Sequence, residues 1–256
     1  MSTNYDNNGQ YSRHSILRYE KIFGAGFVSS GGMNLTRSFC DRLSFGDKDR
    51  VLDIGSGLGG AAFYMAETYG ASVLGLDLSE EMIDIANERV AQQNIAHVEF
   101  RLADALAMDF EESSFDLIWS RDALLHIPQK AELFALLAKW LAPGGQIMIS
   151  DYARKAGEVS PEFQAYVEKS GYDLLDVESY GALLSNAGFQ NVKNEDWSEQ
   201  FIEVLRAEQN NLRDNREHFL QDFTGEDLDY LVERWERKIQ YCLNGDMHTG
   251  LWYGTL

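Results

Sequence analysis

Basic residues are scarce in this sequence, and their scarcity limits the partners that the protein can bind. The 256 residues include 22 Lys and Arg against 41 Asp and Glu, which gives a formal net charge of −19. Nucleic acids and anionic membranes both attract clusters of Lys and Arg. The composition therefore argues against a nucleic-acid partner and against adhesion to a membrane.

Cysteines and long apolar runs are scarce as well. Cys40 and Cys242 lie far apart and belong to no ligand-spaced cluster, which gives no case for zinc or for a disulfide framework. No apolar run approaches the roughly 20 residues that a membrane-spanning helix needs. Residues 1–10 are polar and hold no secretory signal. We expect a cytoplasmic monomer that carries no metal.

Alternating strand and helix patterns are abundant. Apolar runs typical of strands cover residues 50–54, 72–77, 98–102, 115–120, 146–151, 192–196 and 248–254. Helical periodicity covers residues 15–27, 33–43, 59–69, 79–93, 129–141, 161–169, 177–186, 200–223 and 226–242. This alternation predicts an α/β fold with a Rossmann-like, doubly wound sheet of seven strands.

The patterns also predict how the chain is divided. Residues 1–45 form N-terminal lid helices, with Ser30 capping the second helix, and residues 46–151 form the Rossmann-like core. Residues 152–256 complete the sheet and insert a helical cap over the carboxyl ends of the strands, where open α/β sheets bind ligands. We expect one integrated domain.

A glycine-rich turn follows the first strand in Val51-Leu-Asp-Ile-Gly-Ser-Gly-Leu-Gly-Gly60. Glycines there let the backbone take unusual dihedral angles and let a ligand approach the main chain closely. Gly55, Gly57 and Gly60 satisfy G-x-G-x-x-G, a weak dinucleotide signal that leaves an NAD enzyme open. Asp53 favours a ligand that carries an ammonium group, as the methionyl arm of S-adenosylmethionine does. We therefore predict a methyl-donor site.

Acidic residues also follow the second and third strands. Asp77 lies 24 positions after Asp53, where an acid can accept hydrogen bonds from both ribose hydroxyls of an adenosine ligand. NAD enzymes also bind the ribose through an acid at this position, so Asp77 indicates an adenosine ligand without distinguishing NAD from S-adenosylmethionine. Asp104 is placed to accept a hydrogen bond from the adenine amino group. Any one of these acids can be a simple cap, but the three together favour S-adenosylmethionine.

An acid and a histidine follow the fourth strand in Ser120-Arg-Asp-Ala-Leu-Leu-His126. Methyl transfer needs an acceptor with a free lone pair, whereas an alkylamine with a pKa of about 10 is mostly protonated at neutral pH. Asp122 and His126 share a face if the segment is a helical turn. Asp122 can then hold the ammonium while His126 accepts its proton. The alternative is a histidine that packs under the next helix.

Tyrosines are frequent in the segments expected to flank this site. Their rings can surround a methylated ammonium through cation–π attraction, worth about 0.5–2 kcal/mol each. Most tyrosines in any chain are packing residues, so their number is suggestive only. The candidates are Tyr11, Tyr19, Tyr152, Tyr166, Tyr172 and Tyr180.

Several motifs coincide with those of one known family. They are Tyr19-Glu-Lys-Ile-Phe-Gly24, Ser29-Ser-Gly-Gly32, the glycine-rich turn, Ala86-Asn-Glu-Arg-Val90, Ser120-Arg-Asp-Ala-Leu-Leu-His126 and Asp151-Tyr152. The chain resembles, nearly end to end, the phosphoethanolamine N-methyltransferases of the class I S-adenosylmethionine-dependent superfamily. The resemblance implies a class I methyltransferase fold whose N-terminal and inserted helices form a lid.

The resemblance also implies roles for individual positions. Tyr11 and His126 match a catalytic pair that latches the lid and assists deprotonation, and Asp122 acts beside them. Donor contacts are expected from Ser29, Asp53, Gly55, Gly57, Asp77, Leu78, Asp104 and Ala105. Acceptor contacts are expected from Gln10, Tyr19 and Asp122, and a grip on the substrate phosphate from Tyr152, Tyr166, Tyr172 and Lys238.

One departure from the family concerns that phosphate. Where the family has an arginine between the tyrosines, this chain reads Glu168-Lys169-Ser170. Ser170 cannot replace a bidentate cation. Lys169 can substitute only as a point charge, from a side chain that leaves in another direction. The amine-methylating residues are therefore intact, while the acidic tail of the acceptor stays open.

The sequence thus predicts an S-adenosylmethionine-dependent N-methyltransferase of a small amine, with S-adenosylhomocysteine as product. Phosphoethanolamine and its mono- and dimethyl forms, leading to phosphocholine, are the first candidates for the acceptor. Glycine, sarcosine, dimethylglycine or an amino-acid-derived metabolite is the nearer alternative. An NAD-dependent oxidoreductase is a remote alternative, and a protein that binds the donor without catalysis is a third.

Overall fold

The structure is a computed structural model that describes residues 12–256, so Gln10 and Tyr11 of the predicted site lie outside the described residues. The helices are α1 Arg13–Phe23, α2 Gly32–Cys40, α3 Gly60–Tyr69, α4 Glu80–Gln93, α5 Lys130–Trp140, α6 Pro161–Ser170, α7 Val177–Asn186, α8 Ser198–Asp214, α9 Arg216–Phe219 and α10 Gly225–Leu243. The strands are β1 Arg50–Ile54, β2 Ser72–Asp77, β3 Val98–Leu102, β4 Phe115–Arg121, β5 Leu141–Arg154, β6 Gln190–Asp196 and β7 Met247–Thr255.

The strands form one sheet in the order β3-β2-β1-β4-β5-β7-β6. Strands β1 to β5 pair in parallel, and β7 runs antiparallel to both β5 and β6. The predicted α/β fold with a seven-stranded, doubly wound sheet is confirmed. The strand order reverses between β1 and β4, and open sheets of this kind form a ligand crevice at the carboxyl ends of the strands beside that point.

Two apolar layers cover the faces of the sheet because successive residues of a strand point to opposite sides. Leu52 and Ile54 of β1 belong to the layer that includes buried residues of α5 and α7. Val51 belongs to the opposite layer, which includes residues of α2, α3 and α4. Both faces are thus buried, as expected of a sheet whose first five strands are parallel.

A third apolar cluster lies beyond the carboxyl ends of the strands and joins α6, α8 and α10 to one side of α1. Ion pairs hold α1 in place at its polar side. Arg18 of α1 lies 2.7 Å from Asp227 of α10, and Lys21 lies 2.5 Å from Asp222. These helices occupy the place of the predicted lid. The division of the chain after residues 45 and 151 stays a prediction.

Two local predictions were wrong, each because another hydrogen bond prevails. Ser30 does not cap α2: Gly31 precedes that helix without a side-chain cap, and the Ser30 carbonyl accepts a hydrogen bond from Arg121. The helix predicted over residues 200–223 breaks at Asn215, whose side chain donates back to the Asn211 carbonyl.

Within residues 12–256, no helix has the length and apolar character needed to cross a bilayer.

Candidate functional site

A cavity of about 670 Å³ lies at the reversal of strand order, between the strand ends and helices α1 and α10. Its wall contains most of the predicted site: Tyr19, Ser29, Asp53, Gly55, Gly57, Asp77, Leu78, Asp104, Ala105, Asp122, His126, Tyr152, Tyr172 and Lys238. Tyr166 stands behind this wall, with its ring centroid 5.9 Å from that of Tyr172. The fold therefore gathers into one cavity the residues that the sequence distributes over more than 200 positions.

The glycine-rich turn is fastened to the neighbouring strand by its own backbone. The N–H groups of Gly55 and Ser56 both donate to the Leu76 carbonyl, at 2.8 and 3.0 Å. Gly55 has a φ of 74°, and a Cβ added there would collide with the Cβ of Ala123. Glycine is thus required by the left-handed backbone and by the close approach of the loop after β4.

Asp53 is a buried carboxylate at the end of β1, and it is only 2% exposed. Burial and the charge of Asp77 raise its pKa to about 7, and the Arg121 guanidinium opposes that rise. Among the described residues, its Oδ2 atom has no hydrogen-bond partner. A buried, unpartnered carboxylate oxygen on a cavity wall fits a cationic ligand group, because such a group would restore the charge compensation that burial removes.

The acids after β2 and β3 both face the cavity and also bind backbone N–H groups. Asp77 accepts hydrogen bonds from Gly57 and from Ser79, both at 2.9 Å. Asp104 accepts one from Leu106 at 2.9 Å. Carboxylate oxygens have further lone pairs, so these contacts fix the acids without using up their capacity to accept from a ligand.

A buried cation at the end of β4 holds the start of α2 and the residues before it. Arg121 donates to the carbonyls of Ser30 and Gly32, at 2.8 and 3.2 Å, and to the hydroxyl of Thr36 at 3.0 Å. Glu208 of α8 accepts from the Gly31 N–H at 2.6 Å. Ser29 is thereby positioned on the cavity wall.

Asp122 and His126 both line the cavity. Their common orientation was predicted from a helical turn over residues 122–126, but the segment does not form that turn. Asp122 has a left-handed backbone with a φ of 51°, and a short 3-10 turn follows at Leu124–His126. A positive φ at a residue other than glycine is uncommon and often marks a functional position. Burial raises the pKa of Asp122, while Arg121 and Lys238 act to lower it.

His126 is neutral at neutral pH. Burial and the positive charges of Lys130 and Arg234 lower its pKa to about 4. The edge of its ring packs against Tyr172, with 5.2 Å between ring centroids. A neutral imidazole retains a lone pair, so His126 is in the protonation state that a proton acceptor needs.

A polar and aromatic cluster lies beside His126 and consists of Tyr152, Tyr166, Tyr172 and Lys238. Lys238 is buried, and its ammonium donates to the Tyr152 hydroxyl at 2.5 Å. Burial and the charge of Arg234 lower the pKa of Lys238 to about 7. Tyr180 is not part of this cluster, because it is completely buried and stacks on Trp252 at 4.0 Å between ring centroids.

Arg234 is the residue that sequence reasoning missed. It lines the cavity one helical turn before Lys238, on the same side of α10. The spacing of four residues between Arg234 and Lys238 is visible in the sequence. However, α10 contains so many charged residues that its cations were expected to face the solvent. Lys169, by contrast, is exposed, and neither it nor Ser170 is among the described residues that line the cavity.

The same part of the chain, residues 12–256, holds no group of three or more His, Cys, Asp or Glu side chains arranged for a metal ion.

Strand order, the antiparallel β7 and a crevice bordered by acids after β1, β2 and β3 define the class I methyltransferase fold. The family described as "Methyltransferase domain" matches residues 45–234. Among curated proteins, phosphoethanolamine N-methyltransferase of Plasmodium falciparum is 39% identical over 236 residues, which cover 91% of this chain and 88% of that protein. The chain belongs to the phosphoethanolamine N-methyltransferase family.

Two further relatives extend the comparison. Phosphoethanolamine N-methyltransferase 1 of Triticum aestivum is 46% identical over 97% of this chain, but the chain spans about half of that relative, 50% of its length. The solved structure of Haemonchus contortus phosphoethanolamine N-methyltransferase 2, with phosphomonomethylethanolamine and S-adenosylhomocysteine, has a TM-score of 0.96 at 32% identity. That match covers 100% of this chain and 61% of the Haemonchus chain.

Proposed function

We propose that this protein transfers methyl groups from S-adenosylmethionine to the nitrogen of phosphoethanolamine and of its mono- and dimethyl forms. The observation that carries the proposal is the single cavity that joins Asp53, with its unpartnered buried oxygen, to Asp122 and the neutral His126. The names of the Plasmodium and Triticum relatives and the ligands of the Haemonchus structure support the same substrate and cofactor.

The donor end of the cavity suits S-adenosylmethionine by its charge. Asp53 would hold the ammonium of the methionyl arm, and the glycine-rich turn forms the cavity wall beside it. Asp77 would accept from the ribose and Asp104 from the adenine amino group. When bound there, S-adenosylmethionine supplies an electrophilic methyl group on its sulfonium.

At the acceptor end, the protein has to bind an ammonium and remove one of its protons. Asp122 provides the negative charge that holds the ammonium, and His126 provides the lone pair that takes the proton. A proton moved from an amine of pKa about 10 to an imidazole of pKa about 4 costs about 8 kcal/mol, at 1.36 kcal/mol per pKa unit.

Two effects of binding reduce that cost. Loss of water from the ammonium lowers its pKa, and an anionic substrate near Arg234 offsets one of the charges that lower the pKa of His126. Tyr11, which lies outside the described residues, remains the proposed partner of His126 in closing the lid.

A turnover screen with purified protein and S-adenosylmethionine tests the proposal. We expect methylation of phosphoethanolamine and its mono- and dimethyl forms. We expect little with ethanolamine, glycine, sarcosine or dimethylglycine. If glycine, sarcosine or dimethylglycine is methylated faster than phosphoethanolamine, the proposed substrate is wrong and the acceptor is an amine that carries a carboxylate.

Calorimetric titration tests the cofactor separately. S-adenosylhomocysteine should bind and NAD should not, because Asp53 suits an ammonium and repels a pyrophosphate. Binding of NAD without binding of S-adenosylhomocysteine would exclude the methyl-donor assignment and favour the oxidoreductase.

A further inference from the structure

Arg234 differs from the other arginines inside the protein in what it binds. Arg18 pairs with Asp227, Arg89 pairs with Glu20, and Arg121 donates to two carbonyls and a hydroxyl. Among the described residues, Arg234 forms no ion pair with a carboxylate. The hydrogen bond that it forms within residues 12–256 runs to the Tyr230 hydroxyl at 3.2 Å, and its guanidinium lies 5.8 Å from the centre of the Tyr19 ring. In the described part of the chain, a permanent cation on the cavity wall is therefore left without a carboxylate partner.

The surroundings of Arg234 are rich in phenol hydroxyls. The hydroxyls of Tyr19 and Tyr166 are buried, and neither forms a well-aligned hydrogen bond within the described residues. Each interacts with another phenol, Tyr19 with Tyr230 and Tyr166 with Tyr172. Burial, the first cause in both residues, raises the pKa of Tyr19 to about 12 and raises that of Tyr166 well above its usual value, so both phenols keep their protons. Neutral phenols donate hydrogen bonds, and within residues 12–256 no carboxylate accepts one from these two hydroxyls.

Lys238 adds a second nitrogen donor one helical turn further along α10, and an anion bound beside it would favour its charged form, because its pKa is about 7. It already donates to Tyr152, whose ring lies 6.1 Å from that of Tyr172. Tyr172 in turn contacts His126. The wall that contains the predicted base is thus also lined by Arg234, Lys238, Tyr19, Tyr152 and Tyr172, and Tyr166 stands behind it. An amine held at Asp122 and an acidic tail held by this group belong to one short molecule.

We propose that Arg234, with Lys238, binds the phosphate of the acceptor and supplies the fixed cation that the family places at the position of Ser170. This inference rests on the proposed function and names the residue that recognises the acidic tail. A guanidinium can bind two oxygens of a phosphate at once, and phenol hydroxyls can donate to the remaining oxygen. The departure at Ser170 is then a relocation of the arginine from the end of α6 to α10.

Titration of phosphoethanolamine into the protein saturated with S-adenosylhomocysteine tests the inference. The variants are Arg234→Gln, which removes the charge, and Arg234→Lys, which keeps a charge but loses the planar fork. Arg237→Gln is the matched control, because Arg237 lies three residues further on the same helix and is exposed. The affinity of each variant for S-adenosylhomocysteine shows whether it is folded.

We expect Arg234→Gln to weaken phosphoethanolamine binding by about 10- to 100-fold, the range for loss of a charged hydrogen-bonding group. Arg234→Lys should lie between this variant and the unchanged protein, and Arg237→Gln should bind normally. Equal affinities of Arg234→Gln and Arg237→Gln would overturn the inference, as would an unchanged protein that does not bind phosphoethanolamine. If Arg234→Gln does not fold, the comparison of Arg234→Lys with the control decides in the same way.

Turnover measured on the same samples separates the two proposals. A protein that binds phosphoethanolamine through Arg234 but transfers no methyl group would refute the proposed function and leave the anion site intact. A protein that methylates phosphoethanolamine equally well with Arg234→Gln, at unchanged KM, would refute the anion site and leave the function intact.

Discussion

From the raised pKa of Asp53 we predict that donor binding depends on pH, and the size of the effect follows from that pKa. Burial, with the charge of Asp77 added, raises the pKa of Asp53 to about 7. The carboxylate is therefore charged above pH 7 and becomes protonated as the pH falls. Only the charged form attracts the ammonium of the methionyl arm. We predict that the affinity for S-adenosylhomocysteine, which carries the same arm, falls between pH 8 and pH 6.

The size of the effect follows from the charged fraction of Asp53. With a pKa of about 7, about 0.9 of the molecules carry the charge at pH 8 and about 0.1 at pH 6. The apparent Kd is the intrinsic Kd divided by the competent fraction. The affinity should therefore fall by about tenfold over these two pH units. Above pH 8 it should be constant with respect to this group.

Calorimetry at a series of pH values measures the effect. Asp53→Asn should bind S-adenosylhomocysteine weakly at every pH, with a flat profile. Glu208→Gln is the control variant, because burial also raises the pKa of Glu208 to about 7, yet Glu208 contacts Gly31 rather than the cavity. It should retain the tenfold change. Equal affinity of the unchanged protein at pH 6 and pH 8, or an undiminished slope in Asp53→Asn, would refute the reasoning.

Three further predictions concern the base, the packing of the turn and the phosphate site. His126→Ala should reduce kcat by about 100- to 10,000-fold, as expected for loss of a general base, and leave S-adenosylhomocysteine affinity nearly unchanged; full activity would remove His126 from catalysis. Gly26→Ala should lower the free energy of unfolding by about 1–3 kcal/mol in urea titration. The reason is that Gly26 has a φ of 89° and that its new Cβ would lie 2.8 Å from the Cα of Gly60. Unchanged stability would contradict this packing. Ser170→Arg should leave the KM for phosphoethanolamine unchanged, because Arg234 already supplies a cation on the cavity wall. A KM lowered about tenfold would show that the cavity wall still lacks a phosphate-binding cation.

Much of the fold was predictable because most helices and strands are indicated by the residues of their own segment. The apolar runs of β1 to β4 and the helix starts at Ser79 and Ser160, whose side chains accept from the backbone of the first turn, depend on neighbouring residues only. The errors came from long-range bonds. Ser30 has the composition of a helix cap, but Arg121 lies 91 residues away in sequence and binds its carbonyl instead. No local pattern records that contact.

The donor end of the site was predictable for a related reason. Parallel strands place their carboxyl ends at one edge, so acids that follow successive strands must come together. The acceptor end depends on how helices pack over that edge, and the sequence does not record their rotation. Arg234 and Arg237 look alike in the sequence, yet only the first is turned into the cavity. Tyr180 was expected near the site because it lies in a segment expected to flank it, but its side chain is buried in the core against Trp252.

The position of Arg234 also links recognition to chemistry by thermodynamic reciprocity. Its charge is one of the causes that lower the pKa of His126. An anion bound to Arg234 reduces that influence and makes His126 a stronger base, and by the same coupling a protonated His126 strengthens binding of the anion. A substrate without an acidic tail would therefore lose rate as well as affinity, since the base would act at its lowest basicity. The tail is remote from the reacting nitrogen, yet its charge is used in the proton transfer.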